Sequence, residues 1–87
     1  MHIVLNYAAG TGRFYLYLDP NAAILHFGVS NDAVPTMWIQ EDPDAKKTLT
    51  WFQLIETGRC VDDPEKLQYV GTRISDSFVY HLYKELS

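Results

Sequence analysis

Residues 13–19 have the sequence Arg13-Phe14-Tyr15-Leu16-Tyr17-Leu18-Asp19, in which two kinds of side chain alternate strictly. One row is Phe14, Leu16 and Leu18, and the opposite row is Arg13, Tyr15, Tyr17 and Asp19. A period of two is typical of a β-strand that buries one face. The pattern therefore predicts a half-buried strand over residues 13–19 whose tyrosines keep their hydroxyls in water.

Further strands are predicted on both sides of this stretch. The full set covers residues 2–7, 13–19, 23–29, 35–41, 48–56, 67–74 and 78–83. Two glycines within residues 8–12 favour a tight turn, so the first two strands are expected to form an antiparallel hairpin. A last hairpin is expected across Ser75-Asp76-Ser77. The Asp-Pro pairs at 42–43 and 63–64 allow at most short helical turns, because Asp suits the N-cap and Pro the first helical position.

Seven short strands at roughly ten-residue spacing predict an all-β fold, a small antiparallel sandwich or barrel. A chain of 87 residues is expected to form a single domain over residues 1–87. The predicted core is Ile3, Leu5, Phe14, Leu16, Leu18, Leu25, Phe27, Met37, Ile39, Phe52, Leu54, Leu67 and Val79. The inward face of strands 35–41, 48–56 and 67–74 stays open, since both faces carry apolar groups. Such two-sided strands predict a second covered surface, as in a homodimer or small homo-oligomer.

Charge and composition exclude several classes of protein. Eleven Asp and Glu against seven Lys and Arg give a net charge of -4, which disfavours direct binding to nucleic acid. An acidic chain suits a basic surface on a protein partner instead. No apolar run approaches the roughly 18 residues of a membrane span. No secretory signal is evident, and the single cysteine, Cys60, favours a reducing compartment, so a cytoplasmic location is expected.

The sequence motifs that could indicate phosphate binding, metal binding or catalysis are weak throughout the chain. Gly10-Thr11-Gly12-Arg13 resembles a phosphate loop but lacks its length, its Lys and the following helix. The histidines, His2, His26 and His81, have no short ligand spacing, and Cys60 has no evident partner. A triad of Ser75 or Ser77 with Asp76 and His81 would crowd one hairpin without the turn that presents a nucleophile. We therefore expect no enzyme activity, no metal and no cofactor.

The aromatic residues are more informative, with two Trp, six Tyr and four Phe in the chain. The candidate binding residues are Arg13, Tyr15, Tyr17, Arg73, Tyr80, His81 and Tyr83. Tyr, Trp and Arg dominate the hot spots of protein interfaces. Aromatic rings also stack on bases while Arg holds phosphate. A purely structural role, a protein interface and a nucleotide pocket all stay open, as does the question of whether Tyr80 or the pair His81 and Tyr83 faces the core.

Several short motifs resemble, in order and spacing, a family of short uncharacterised proteins of phages and prophages. The matching pieces are Ala23-Ile24-Leu25, Met37-Trp38-Ile39, Asp42-Pro43-Asp44, Thr57-Gly58, Tyr69-Val70-Gly71-Thr72 and Phe78-Val79-Tyr80-His81-Leu82-Tyr83. Tyr80 stands in place of the usual Trp and Tyr83 in place of the usual Phe, while residues 1–19 depart from the family pattern. The resemblance implies a small phage accessory protein and brings no catalytic residues with it.

Together these observations lead to one functional expectation and two alternatives. The first is a non-enzymatic counter-defence or host-takeover protein that binds and blocks a host effector in the host cytoplasm, as anti-CRISPR proteins do. The second is an oligomeric sponge that sequesters a nucleotide immune signal, with aromatic rings on the base and Arg13, Arg59 or Arg73 on phosphate. The third is a minor phage structural protein.

Overall fold

A computed structural model of the chain describes residues 1–86, and strands dominate that range. The strands are β1 (Ile3–Ala8), β2 (Gly12–Leu18), β3 (Ala23–Val29), β4 (Pro35–Glu41), β5 (Thr48–Glu56), β6 (Leu67–Ser75) and β7 (Phe78–Glu85). A short 3₁₀ turn, Pro64–Lys66, precedes β6. It lies where the Asp63-Pro64 pair predicts one, whereas the Asp42-Pro43 pair forms a turn in which Asp42 Oδ1 accepts the N–H of Asp44 at 3.0 Å.

The strands form two antiparallel sheets, as the alternation of apolar residues predicts. The three-stranded sheet has the order β1-β4-β3, and the four-stranded sheet has the order β2-β5-β7-β6. The two sheets enclose one apolar cluster, so the predicted all-β sandwich is confirmed. The chain passes between the sheets after β1, β2 and β4, which brings the loops on either side of these strands to the ends of the sandwich.

The predicted hairpin between the first two strands is wrong. β1 pairs with β4, and β2 pairs with β5, so the loop after Ala8 crosses from one sheet to the other. Ala9 continues the pairing of β1 by donating its N–H to the carbonyl of Pro35 at 2.8 Å. Gly10 then passes so close to Phe14 that a Cβ at this position would lie 3.0 Å from the Phe14 Cβ. The glycines serve a crossing between layers rather than a tight turn.

The C-terminal hairpin is confirmed. β6 and β7 pair along their length, and the connection turns at Asp76, whose φ of 54° lies in the left-handed region that Asp tolerates better than most residues. A bulge between Tyr69 and Gly71 shifts the register of β6. Beyond that bulge, Arg73 lies opposite Tyr80 on one face, and Thr72 lies opposite His81 on the other.

The buried side chains largely follow the alternation predicted along each strand. Its fully buried members are Leu18, Phe27, Met37, Ile39, Phe52, Leu54 and Leu82, and Phe14 and Leu16 pack against them. Met37 and Ile39 set the inward face of β4, and Phe52 and Leu54 set that of β5. Tyr80 also packs against the cluster, so the Tyr80 face of β7 is the core face.

Five predicted core residues lie elsewhere. Ile3, at the start of the edge strand β1, is half-buried outside the apolar cluster. Leu25 is 52% exposed because a bulge between Ile24 and His26 inserts it as an extra residue, and Ile24 packs on the core in its place. Leu5 is exposed because β1 lies at the edge of its sheet. Leu67 and Val79 are half-buried on the outer face of the four-stranded sheet. Side chains alternate along β7, so Val79 faces outward because Leu82 faces the core, and Leu67 faces outward because it pairs with Glu85.

Candidate functional site

The candidate residues divide between two faces of the four-stranded sheet. Five of them lie on its outer face, since they alternate with core residues along β2 and β7: Arg13, Tyr15, Tyr17, His81 and Tyr83. Arg73 and Tyr80 lie opposite each other on the inner face. The structure therefore brings five of the seven to one surface and separates the other two from it.

The exposed part of this surface is an aromatic cluster on β2 and β5. Tyr15 packs edge-on against Trp51 of β5, with ring centroids 5.2 Å apart, and against Tyr17 at 5.7 Å. Tyr15 is 51% and Tyr17 61% exposed, and Leu49, opposite Tyr17, is exposed as well. We call Tyr15, Tyr17, Leu49 and Trp51 the aromatic face. Trp51 was not among the predicted residues, although the alternation in β5 that buries Phe52 places Trp51 outward.

Arg13 forms the polar border of the aromatic face. Its guanidinium lies over the Trp51 ring, with Cζ 3.8 Å from the ring centroid. It also donates two hydrogen bonds to the Glu85 carboxylate, from Nε at 2.7 Å and from Nη2 at 3.0 Å. Gln53 donates a third bond to the same carboxylate at 3.0 Å. The guanidinium holds the pKa of Glu85 below its usual value, so the pair stays ionised and keeps Arg13 stacked on Trp51.

His81 belongs to a hydrogen-bonded chain farther along the same outer face. Its Nε2 lies 2.7 Å from the Thr57 hydroxyl and its Nδ1 lies 2.8 Å from the Thr72 hydroxyl. The Thr72 hydroxyl also bonds the Tyr69 hydroxyl, and the Tyr69 ring packs edge-on against Tyr83 at 5.6 Å. Both ring nitrogens are thus occupied, which fixes the loop after β5 to the strands β6 and β7.

Arg73 and Tyr80 occupy the interior side instead. The Arg73 guanidinium lies 6.0 Å from the centroid of the buried Phe27 ring and donates a hydrogen bond to the Thr72 carbonyl at 2.6 Å. Tyr80 packs against the core cluster. Arg73 therefore lies beside Tyr80 but is separated from the β2 tyrosines, because Arg73 and Arg13 lie on opposite sides of one sheet.

A cleft opens where β2 begins and the loop after β5 turns back. Its volume is about 360 Å³, and its lining is Thr11, Gly12, Arg13, Gln53, Leu54, Ile55, Glu56, Arg59, Cys60 and Tyr80. The cleft has an apolar floor, and it brings Arg13 and Arg59 to the same opening. Cys60, for which the sequence shows no evident partner, is an exposed free thiol on its wall.

A second polar cluster is buried between the sheets and was not predicted. Glu41 is fully buried and accepts hydrogen bonds from the Tyr7 hydroxyl at 2.5 Å, from Lys47 Nζ at 2.8 Å and from the backbone N–H of Asp19 at 3.1 Å. Asp19 is buried too, although the alternation in β2 assigns it to the exposed row. Its carboxylate accepts the N–H groups of Asn21 at 2.9 Å and Asp42 at 3.0 Å. The cluster joins the ends of both sheets.

The ionisation of this cluster follows from its donors. Burial opposes the charge on Glu41, but the bonds from Lys47 and Tyr7 outweigh burial and hold the pKa of Glu41 below its usual value. The backbone N–H of Asp42, and then that of Asn21, lower the pKa of Asp19. Burial and the neighbouring Glu41 carboxylate raise the pKa of Tyr7 to about 12. Every buried side-chain polar atom in residues 1–86 has a partner, so the cluster is closed to a ligand.

Several of the side chains considered for a catalytic triad or for metal binding contact other residues. Ser75 donates its hydroxyl to the Ala33 carbonyl at 2.5 Å rather than to His81. His26 lies against Trp38 on the other sheet, with ring centroids 5.5 Å apart. Within residues 1–86, no three His, Cys, Asp or Glu side chains are grouped to hold a metal ion, and no helix is long and apolar enough to cross a membrane.

Comparison with known proteins places the chain in a domain family. The family model of a domain of unknown function, DUF7352, matches residues 3–87, which is nearly the whole chain. No curated protein and no solved structure matches it. The match includes β1 and β2, the region where the phage resemblance departs from its pattern. The chain therefore belongs to the DUF7352 family, a domain family of unknown function.

Proposed function

We propose that this protein is a small, non-enzymatic binding protein of phage origin that blocks a host effector by covering it with the aromatic face. The observation that carries the proposal is the exposure of Tyr15 and Tyr17 beside Trp51 and Arg13. Large aromatic side chains and Arg contribute most of the binding energy at protein interfaces. Here they are held in place before any partner arrives, which lowers the entropy lost on binding.

The geometry of Arg13 supports a surface prepared for contact. A guanidinium that is bonded to Glu85 and stacked on Trp51 has little rotameric freedom left to lose. The pair Tyr15 and Trp51 likewise fix one another edge to face. Such a rigid aromatic surface is costly to leave in water unless something covers it, because exposed apolar area is unfavourable.

Charge and sequence resemblance support the choice of partner. The net charge of -4 favours a partner with a basic surface, such as an effector that handles nucleic acid. The order of motifs from Ala23-Ile24-Leu25 to the last strand supports a phage origin, and hence action in the host cytoplasm. A counter-defence role of the anti-CRISPR kind is the function that best combines a small acidic chain, a preorganised aromatic surface and that origin.

A capture experiment with matched variants tests this proposal. The immobilised protein is incubated with a lysate of a host that carries defence systems, and both proteins and small molecules released from the beads are analysed. Tyr17→Lys places a charge in the aromatic face, and Leu25→Lys places the same charge on an equally exposed residue of the other sheet. We expect a defence protein that the wild type and Leu25→Lys retain and Tyr17→Lys loses. Equal capture by both variants contradicts the role of the aromatic face.

The cleft beside Arg13 favours a second candidate, a sponge for a nucleotide signal. Arg13 and Arg59 line the same opening, and Tyr80 is a third lining residue. Two guanidiniums near an aromatic ring suit a phosphate and a base. Glu56 in the same lining and the engagement of Arg13 by Glu85 reduce the positive potential there, so this candidate ranks second. A nucleotide released from the wild-type beads, and not from Arg59→Glu beads, would favour it.

A further inference from the structure

The strand β1 is an edge of the three-stranded sheet, and it lacks the bulges and charged side chains that protect the other edge strands. β3 carries a bulge after Ile24, and β6 carries one after Tyr69. β2 carries the charged Arg13. β1 pairs with β4 in continuous register from Ile3 to Ala8, and its sequence, Ile3-Val4-Leu5-Asn6-Tyr7-Ala8, has no charge and no proline. Unprotected edges of this kind are templates for pairing with another strand.

The backbone groups that β1 offers to a partner follow from the bond between Ala9 and Pro35. The N–H of Ala9 donates to the Pro35 carbonyl, so this opposed pair is a hydrogen-bonded one. Hydrogen-bonded pairs recur at every second residue of an antiparallel ladder. Tyr7, Leu5 and Ile3 therefore direct their N–H and C=O groups toward β4. The groups of Val4, Asn6 and Ala8 point away from the sheet, toward the open edge.

The side chains of β1 show that the edge leaves part of the core uncovered. Leu5 lies opposite Ile39, which is fully buried, and therefore stands in the core-facing row. Leu5 is nevertheless 41% exposed. Its neighbour on the outer face, Val4, is 51% exposed. A strand added at this edge would cover both residues.

We propose that β1 pairs antiparallel with β1 of a second copy of the chain, so that two three-stranded sheets become one six-stranded sheet. In the register we assign, Leu5 of one copy lies opposite Leu5 of the other, and Val4 lies opposite Asn6. Residues directly opposite each other point to the same side of a sheet. This register therefore keeps Ile3, Leu5 and Tyr7 on the core side in both copies. It also allows backbone hydrogen bonds between Val4 of one copy and Asn6 of the other, because the N–H and C=O groups of both residues point to the open edge.

The chemistry of β1 selects a second copy as the occupant. The residue best suited to lie beside the half-covered Leu5 is apolar, and this register supplies another leucine. Because β1 is uncharged, two copies meet there without opposing like charges, even though each chain carries a net charge of -4. The interface lies in the three-stranded sheet, so the aromatic face on the four-stranded sheet stays open in both copies. The proposal thus goes beyond the proposed function and does not depend on it.

The oligomeric state of edge variants tests this interface. Val4→Lys places two new charges at the shared edge. Asn6→Pro removes an N–H that points away from β4, and proline is tolerated at edges in that orientation. Ile74→Lys is the matched control, because Ile74 is an exposed β-branched residue on the protected edge strand β6. The mass of each protein is measured by light scattering at micromolar concentration, with circular dichroism as the check on folding.

We expect the wild type and Ile74→Lys to have the mass of two chains, and Val4→Lys and Asn6→Pro that of one. The dimer dissociation constant of Val4→Lys should rise about tenfold or more, because the two lysines would be diagonal neighbours on one face of the joined sheet, where like charges repel. A monomeric wild type would overturn the proposal. So would a dimer that survives both edge substitutions, or one that Tyr17→Lys dissociates, since the aromatic face would then be the interface.

A cross-link keeps the proposal testable if the edge variants do not fold. Leu5→Cys is made with Cys60→Ser, which removes the exposed native thiol. Two cysteines opposite one another in a non-hydrogen-bonded pair lie close enough for a disulfide. Mild oxidation is expected to give a covalent dimer of Leu5→Cys and to leave Val34→Cys, in an exposed loop, as single chains. Equal cross-linking of the two variants, or none in either, would contradict the assigned register and the edge interface.

Discussion

The aromatic face and the buried cluster around Glu41 use the same kinds of residue for opposite ends. The buried cluster combines a tyrosine with a carboxylate and a cation, and so does the aromatic face taken together with Arg13 and Glu85 at its border. In the buried cluster the carboxylate is fully enclosed, and Tyr7 and Lys47 bond directly to it. In the aromatic face the carboxylate of Glu85 holds Arg13, while the rings of Tyr15 and Tyr17 remain open to solvent. Burial, and not composition, therefore separates a cluster that stabilises the fold from one that is available to a partner.

The largest effect is expected from Glu41→Ala. Removing the carboxylate leaves the Lys47 ammonium, the Tyr7 hydroxyl and the Asp19 N–H without their acceptor. The free energy of unfolding should fall by about 3 kcal/mol or more. Chemical denaturation measures this loss. The folded fraction should bind a partner as well as the wild type does, and a loss of affinity without a loss of stability would reverse the roles we assign to the two regions.

Phe14 and Tyr15, which are neighbours in β2, allow the buried and exposed sides of one strand to be compared. Phe14 stacks on the buried Phe52, with ring centroids 5.4 Å apart, whereas Tyr15 points outward. Phe14→Ala should cost about 3 kcal/mol of stability, near the lower end for a buried Phe because Phe14 is only partly buried. Tyr15→Ala should cost about 1 kcal/mol or less and should weaken partner binding. Equal losses of stability in the two variants would show that the outer face is also structural.

The buried cluster should make the stability of the protein depend on pH. The pKa values of Asp19 and Glu41 are lowered in the folded state, so their contribution is present above the carboxyl range and is lost as pH falls through the folded pKa values. The pKa of Tyr7 is raised to about 12 from 10.0, so stability is retained below pH 10 and lost as pH rises toward 12.

Denaturation midpoints measured across pH would show two limbs, a fall in stability at acid pH and another at alkaline pH. Tyr7→Phe should remove much of the alkaline limb, because the phenol is then absent. Glu41→Gln should flatten the acid limb, and it should weaken the alkaline limb as well, since the Glu41 carboxylate contributes to the raised pKa of Tyr7. Unchanged profiles in both variants would mean that the cluster is not closed in solution.

The smallest effect on stability is expected from the pair Arg13 and Glu85. Glu85→Gln breaks a surface salt bridge in which Arg13 is more than half exposed. Such pairs contribute little to stability, and salt screens them. Partner affinity should fall more than stability does, because Arg13 is then free to leave the Trp51 ring. A thermal melt and a binding titration on the same variant separate the two quantities, and a large drop in melting temperature would contradict this assignment.

Local alternation predicts much of this fold and about half of the site. The inward row of β2 follows from its side-chain period, and the bounds of β3, β4 and β5 follow from the turn residues between them, since both signals are properties of neighbouring residues. The pairing of β1 with β4 does not, since a loop with two glycines can turn back or cross between layers. The burial of Asp19 and Glu41 depends on donors from three separate segments. The bulge that exposes Leu25, and the opposite directions of Arg13 and Arg73, likewise appear only when the strands are paired.

The affinity of a purified captured partner for Tyr17→Lys, compared with Leu25→Lys, tests the role of the aromatic face most directly. Both variants should keep the wild-type melting temperature, since both substitutions lie on exposed side chains. We predict that Tyr17→Lys loses about 2 kcal/mol or more of binding free energy, roughly thirtyfold in dissociation constant, while Leu25→Lys binds like the wild type. Full affinity of a folded Tyr17→Lys protein would contradict the claim that the aromatic face is the surface that meets the partner.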